Sequence, residues 1–174
     1  MSVTPYLDIC IDLAHTNMAQ GRFLDSIYLY QTSIKSQAYS PLMYEKMSQL
    51  HDYISTAYYQ NKNFNESMAC IKKSLFLNPT SLHRWFNLAL SKEESAVELL
   101  NKPNRLIEDI EFAIKEFATA SKIFEFLLSD RSSTLASKSA SRMNKPKTLD
   151  HKAYCDVLNF TLLPFVTYYL DYIY

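Results

Sequence analysis

The stretch Gln20–Tyr30 reads QGRFLDSIYLY, and a stretch of the same kind, NKNFNESMACI, follows 41 residues later at Asn61–Ile71. Each begins with a short polar turn, continues with a phenylalanine and places a serine three residues after that phenylalanine. Apolar residues with helical spacing lie on both sides of each stretch. We therefore predict that each stretch joins two helices in a hairpin, and that the chain repeats this hairpin.

The serines of the two stretches, Ser26 and Ser67, predict where the helices of one hairpin touch. A small side chain at a crossing lets two helix axes approach to the usual separation of about 8–10 Å. Phe23 and Phe64 are expected to fill the space just after each turn. Because a hairpin this short cannot bury its own apolar side, successive hairpins must stack on each other.

The composition excludes several classes of protein. Hydrophobic residues make up 48% of the chain, which is too many for a disordered segment. Phosphate-binding loops and sheet hairpins need glycines, but the chain has one, Gly21. The 18 basic and 18 acidic residues cancel, which argues against electrostatic binding of nucleic acid by the whole chain. The wide spacing of Cys10, Cys70 and Cys155 favours buried, reduced thiols over a disulfide framework or a metal site.

The apolar periods and their breaks predict an all-α fold, a solenoid of about three helical hairpins followed by a C-terminal helical segment. The expected hairpins span about 5–40, 41–79 and 81–128, followed by a flexible, basic, serine-rich connector at 129–147 and an aromatic helix at 148–174. The second helix of the third hairpin, about Leu106–Leu128, is longer than a regular repeat allows. No secretion signal is expected at the start of the chain.

The C-terminal segment Val157–Tyr174 is almost entirely apolar or aromatic. Asn159, Pro164 and Asp171 disfavour a membrane span, and the segment lacks the polar face of a capping helix. We expect it to pack back on the hairpins or against a partner. Pro164 predicts a kink or a break in this helix.

The repeated pattern resembles that of the tetratricopeptide repeat family, most closely in the second hairpin. The matching residues are Leu13, Ala14, Gly21, Phe23, Ser26, Tyr30, Ser33 and Ile34 in the first hairpin, Ile54, Ser55, Tyr58, Phe64, Ser67, Ile71, Ser74 and Pro79 in the second, and Trp85, Leu88, Ala89, Ala120 and Phe124 in the third. The third hairpin departs from the pattern through an insertion before its last matching positions.

That third hairpin carries a narrower resemblance. Pro79–Leu90 reads PTSLHRWFNLAL, and the over-long helix ends with ASKIFEFL at Ala120–Leu127. These stretches are similar to the last repeats of the large tetratricopeptide scaffold subunits of the RNA polymerase II-associated factor complex, over about residues 8–128. The resemblance implies a piece of a longer nuclear protein that holds together the subunits of a transcription elongation factor linked to histone modification. The implied partners are the other subunits, the parafibromin-like subunit first, with RNA polymerase II as a further candidate.

No constellation of side chains for catalysis is evident in the sequence. The four histidines form neither an HExxH motif nor a His–Cys pair, so we predict no enzyme, no metal site and no cofactor. The histidines are expected at surface or groove positions. The acidic pairs Glu93–Glu94 and Asp109–Glu111 are expected to face solvent on helices.

In tetratricopeptide folds the first helix of each hairpin lines a concave groove, and the resemblance implies that partners bind there. The implied contact residues are Ile11, His15 and Met18 in the first hairpin, Asp52, Thr56 and Tyr59 in the second, and Phe86, Leu90 and Glu93 in the third. Family members that bind chaperone tails carry lysine and asparagine at such positions to clamp a carboxylate, and these residues differ. An amphipathic helix or extended segment anchored by Met18, Tyr59 and Phe86 fits better. Packing within the array is the alternative at each position.

Two other functions stay open at this stage. The basic segment Arg131–Lys147 could clamp nucleic-acid phosphates, although the balanced charge of the whole chain disfavours this. The chain could also be a tetratricopeptide adaptor unrelated to transcription. No membrane partner is expected.

Overall fold

A computed structural model describes residues 4–36, 43–129 and 145–173, with side chains described for 6–36, 43–129 and 146–164. Within these ranges the secondary structure is helical, without strands. The helices are α1 Thr4–Ala19, α2 Phe23–Lys35, α3 Tyr44–Gln60, α4 Phe64–Leu77, α5 Leu82–Leu100, α6 Ile107–Leu128 and α7 Lys145–Ile173. The predicted all-α architecture of helical hairpins is confirmed.

The two repeated stretches form the same turn. Gly21 and Lys62, which are 41 residues apart, both have positive φ angles, of 74° and 58°. The amide of the next residue donates to a carbonyl five positions earlier, in the preceding helix: Arg22 N to Asn17 O and Asn63 N to Tyr58 O, each at 2.9 Å. Hydrogen bonds of this kind satisfy the last carbonyls of a helix and reverse the chain direction.

The long helix α6 begins one residue after the predicted Leu106 and ends at Leu128, as predicted. By contrast, α7 begins at Lys145 and not at Thr148, so the last residues of the expected connector are helical. Pro146 explains the earlier start. Proline lacks a backbone N–H group, and the first turn of a helix has no hydrogen-bond acceptor for that group. The basic residues Arg131, Lys138 and Arg142, and the expected boundary between hairpins near residue 40, lie outside the described residues.

The chain divides into two compact units, Met1–Pro79 and Thr80–Tyr174. In the first unit, α1 pairs with α2, α3 pairs with α4, and α2 packs against α3. The shared core contains Ile27 and Tyr30 of α2 together with Leu50 and Ile54 of α3. Each hairpin thus covers an apolar side that its neighbour could not bury alone.

Pairs of serines hold α3 and α4 close together. The hydroxyl oxygens of Ser55 and Ser67 lie 3.0 Å apart in the core. Ser48 and Ser74 each donate a hydrogen bond of 2.7 Å to the other's backbone carbonyl. The predicted crossing at Ser67 is therefore correct, and its buried hydroxyl is satisfied, which avoids the cost of an unpaired polar group.

In the second unit, α5 pairs with α6, and α7 packs along α6. The core side chains are Leu82, Ala89, Ala96, Ala113, Phe117, Ala120, Phe124, Leu127 and Cys155. The helix α7 continues through Pro164 to Ile173, so the chain does not break there, and the kink predicted as the alternative stays a prediction. None of the described helices has the length and apolar character that a membrane span requires.

Candidate functional site

The predicted groove residues of the first unit lie on α1 and α3, each of which is the first helix of its hairpin. Those on α1 are Ile11, His15 and Met18, and those on α3, each 41 residues later, are Asp52, Thr56 and Tyr59. His15 and Thr56 are exposed, whereas the other four are partly buried. Ile11 and Met18 pack against the core, so part of their surface serves the array itself.

An aromatic cluster joins α1, α2 and α3. The His15 ring lies 4.7 Å from the Tyr53 ring and 5.5 Å from the Tyr30 ring, both in edge-to-face geometry. The hydroxyl oxygen of Tyr30 lies 2.7 Å from Nδ1 of His15. We call His15, Tyr30 and Tyr53 the aromatic patch. Tyr30 is buried, whereas His15 and Tyr53 are exposed. The patch therefore presents two rings to solvent, and their contacts with the buried Tyr30 ring fix their orientation.

The Tyr30 hydroxyl is held in its neutral form. Burial, with a smaller contribution from Tyr53, raises the pKa of Tyr30 to about 12. At neutral pH this hydroxyl keeps its proton and lies within hydrogen-bond distance of Nδ1 of His15.

The rest of this surface is aromatic and acidic. The Tyr59 ring meets the Phe64 ring edge-to-face at 5.4 Å. Asp12 and Asp8 are exposed on α1, and Asp8 forms a 3.0 Å ion pair with Lys46 of α3. Because Lys46 offsets the charge of Asp8, the negative character of this surface comes from Asp12 and Asp52, and it suits a partner segment with apolar and basic side chains.

The predicted groove residues of the second unit, Phe86, Leu90 and Glu93, lie on the side of α5 that α7 covers. Nδ1 of His151 in α7 is 3.0 Å from both carboxylate oxygens of Glu93. The His151 ring meets the edge of the Phe86 ring at 5.9 Å, and Leu90 packs against the same core. Contact of these three residues with a partner stays a prediction, because here Phe86 and Glu93 contact His151 of α7 and Leu90 packs against the core.

Glu93 is buried, so the prediction that it faces solvent was wrong. Burial raises the pKa of this carboxyl, and the hydrogen bonds from His151 partly oppose that rise. Cys155 approaches the same carboxylate through its sulfur at 3.8 Å. Burial also raises the pKa of the Cys155 thiol, which keeps it protonated and a poor nucleophile. Glu93, His151 and Cys155 therefore form a hydrogen-bonded contact between α5 and α7.

Sequence reasoning missed Tyr53 and the position of His151. Tyr53 follows the predicted Asp52 by one residue, and its counterpart in the first hairpin is Asp12, so the repeat gave no aromatic signal there. His151 follows the connector, where no repeated pattern fixes a helix face. Within the parts of the chain that the structure describes, no three His, Cys, Asp or Glu side chains are grouped to hold a metal ion.

Comparison with known proteins supports the narrower resemblance. The chain is 24% identical over 126 residues to the RNA polymerase-associated protein CTR9 of Caenorhabditis elegans. It is 23% identical over 117 residues to a CTR9 homologue of Arabidopsis thaliana. This chain resembles CTR9. The resemblance predicted from the third hairpin is thereby confirmed.

The matches to the CTR9 proteins cover 67% of this chain for the Arabidopsis protein and 72% for the Caenorhabditis protein. They cover 10% of each CTR9 protein, so the chain spans about a tenth of the length of these curated relatives. No protein-family model matches the chain. Among solved structures, the tetratricopeptide domain of Sgt2 from Aspergillus fumigatus has a TM-score of 0.45 and 13% identity, covering 84% of this chain and 78% of that one.

Proposed function

We propose that this chain is a non-catalytic interaction scaffold that helps to assemble the RNA polymerase II-associated factor complex in the nucleus. The supporting observation is the similarity of the chain to two CTR9 proteins, one of which is named as RNA polymerase-associated. The helical hairpins of the chain suit a scaffold. The proposed partners are other subunits of that complex, the parafibromin-like subunit first and RNA polymerase II second. Through them the chain would act in transcription elongation and the histone modification linked to it.

The proposed binding surface is the side of α1 and α3 that carries the aromatic patch. Aromatic side chains that neighbouring rings already hold in place lose little conformational entropy when they bind a partner. His15 and Tyr53 meet this condition, since both contact the buried Tyr30 ring. The carboxylates of Asp12 and Asp52 would attract basic residues of the partner. An amphipathic helix or extended segment with an apolar anchor beside basic side chains fits this surface.

The test is a binding assay between the whole chain and the purified parafibromin-like subunit. Tyr53→Ala is expected to weaken binding about tenfold or more, the effect of losing an aromatic anchor. Tyr28→Ala is the matched control, because Tyr28 is an exposed tyrosine of α2 away from the patch. Circular dichroism should be unchanged in both variants.

Two outcomes would contradict the proposal at different levels. If Tyr53→Ala and His15→Ala both bind the subunit as the wild-type chain does, the aromatic patch is not the binding surface. If the wild-type chain binds no subunit of the complex, the scaffold assignment is wrong. A salt-sensitive shift of an oligonucleotide by the wild-type chain would instead favour the basic segment Arg131–Lys147 as a nucleic-acid site.

A further inference from the structure

Two pairs of side chains bridge α1 and α3, and each pair takes one residue from each helix. Asp8 and Lys46 form the ion pair of 3.0 Å. Further along the same two helices, the rings of His15 and Tyr53 meet at 4.7 Å. Both helices belong to the first compact unit, so the surface between them is bounded by helices of this chain on both sides.

Asp12 lies between these two pairs on α1. It follows Asp8 by four residues and precedes His15 by three, which places the three side chains on one face of the helix. Asp12 is exposed, and its carboxylate has no hydrogen-bond or ion-pair partner among the residues that the structure describes. The surface therefore contains a carboxylate that meets only solvent, one helical turn from the aromatic patch.

The residue of α3 at the level of Asp12 bonds elsewhere. Gln49 lies three residues after Lys46 and four before Tyr53, so it stands between the same two pairs. Its side-chain amide donates to the carboxylate of Glu45, in its own helix, at 3.2 Å. The nearest cation of α3, Lys46, is already paired with Asp8. The position between the two pairs is thus open to a cation from outside.

A carboxylate beside aromatic rings suits a guanidinium group in particular. This group is planar, so it stacks on a ring and donates to a carboxylate at the same time. Residues three apart on a helix have Cβ atoms about 5–6 Å apart, so one guanidinium can reach both the Asp12 carboxylate and the His15 ring. A lysine ammonium is a compact point charge and has no planar surface for stacking.

We propose that the aromatic patch and Asp12 together bind an arginine side chain of the partner protein. The guanidinium stacks on the exposed rings of His15 and Tyr53 and pairs with the carboxylate of Asp12. This inference rests on the scaffold function proposed above and deepens it, because it names the side chain that the patch selects. The negative charge of the surface favours a cation, and the adjacent rings favour guanidinium over ammonium.

The experiment is an NMR titration of the whole, isotope-labelled chain with three probes: acetyl-arginine methylamide and the corresponding lysine and citrulline compounds. Citrulline keeps the shape of arginine without its charge. The ring signals of His15 and Tyr53 should shift as the arginine compound is added at millimolar concentrations. The lysine compound should shift them at least about twofold less, because it lacks the stacking contact. The citrulline compound should leave them unchanged.

Asp12→Asn should weaken binding of the arginine compound about twofold to fivefold, the range for one exposed ion pair. Asp25→Asn is the matched control, because Asp25 is an exposed aspartate of α2, and it should respond as the wild-type chain does. Tyr53→Leu keeps an apolar side chain but removes a ring, so it should abolish the preference for arginine over lysine. Circular dichroism checks that each variant is folded.

Equal shifts with the arginine and citrulline compounds, or with the arginine and lysine compounds, would overturn the proposal. Equal responses of Asp12→Asn and Asp25→Asn would overturn it too, as would shifts confined to residues outside the patch. The binding assay with the parafibromin-like subunit gives a separate result. A normal arginine response in a chain that binds no subunit would refute the scaffold proposal alone, whereas Tyr53-dependent binding of the subunit without an arginine response would refute this inference alone.

Discussion

The burial of Glu93 shows that the surroundings of a residue can outweigh the preference of its charged side chain for solvent. A carboxylate beside another acid on a helix normally faces solvent, because burial of an unpaired charge costs several kcal/mol. In this protein Glu93 is 6% exposed, and His151 supplies a donor to both of its oxygens. The His151 ring is itself stacked on Phe124 at 5.6 Å. The histidine therefore satisfies the acid and fills space between α5 and α7 at the same time.

We expect His151→Ala to lower the free energy of unfolding by about 1–3 kcal/mol, because the buried Glu93 carboxylate loses its donor. Urea denaturation followed by circular dichroism measures the change. His83→Ala is the control, since His83 is an exposed histidine of α5, and it should change stability by no more than about 0.5 kcal/mol. Equal effects of the two substitutions would refute this account of the pair.

At the scale of the element, the start of α6 depends on one acid. The backbone amide of Leu106 donates to Oδ2 of Asp109 at 2.9 Å, and Lys102 donates to Oδ1 at 3.1 Å. The amide of Leu106 and then Lys102 lower the pKa of Asp109, since both favour its ionised form. Asp109 therefore caps the long helix and does not merely face solvent, as the sequence had suggested.

This cap predicts a pH-dependent loss of stability. Because the folded protein lowers the pKa of Asp109, the stabilising effect is complete above the ordinary aspartate pKa of about 3.9 and disappears as the pH falls through the lower native value. Asp109→Ala should thus have a lower melting temperature than wild type at pH 7, and the gap should narrow in acid. Glu108→Gln, in the same first turn, is the control, with a smaller loss at pH 7. A gap for Asp109→Ala that is independent of pH would contradict the prediction.

At the scale of the whole molecule, the chain has two compact units, each with its own apolar core. Ser74 of α4 and Ala120 of α6 are both fully buried, one in each unit. A larger side chain at either position would overpack the contact between two helices, at a typical cost of about 1–3 kcal/mol. Distant sites with separate partners usually act independently.

Ser74→Leu is therefore expected to speed amide hydrogen exchange in α3 and α4 and to leave α5 and α6 protected, whereas Ala120→Leu should do the reverse. Hydrogen exchange followed by mass spectrometry resolves the two units in one experiment on the whole chain. Faster exchange throughout the chain in both variants would mean that the two units unfold as one.

The sequence by itself determined the hairpins, their repeat of 41 residues and the resemblance to CTR9. The hairpins are local features: the turns at Gly21 and Lys62 are closed by hydrogen bonds that span five residues, and Ser67 contacts Ser55, twelve residues away in the same hairpin. Only the tertiary structure decided that Tyr53 joins His15 and that α7 covers Glu93, a residue 58 positions from His151. Helical periodicity defines which face of a helix is apolar, but the helix that covers this face is selected by packing between distant segments. The segment after residue 147 has no repeated pattern, so its sequence could not predict which helix α7 covers.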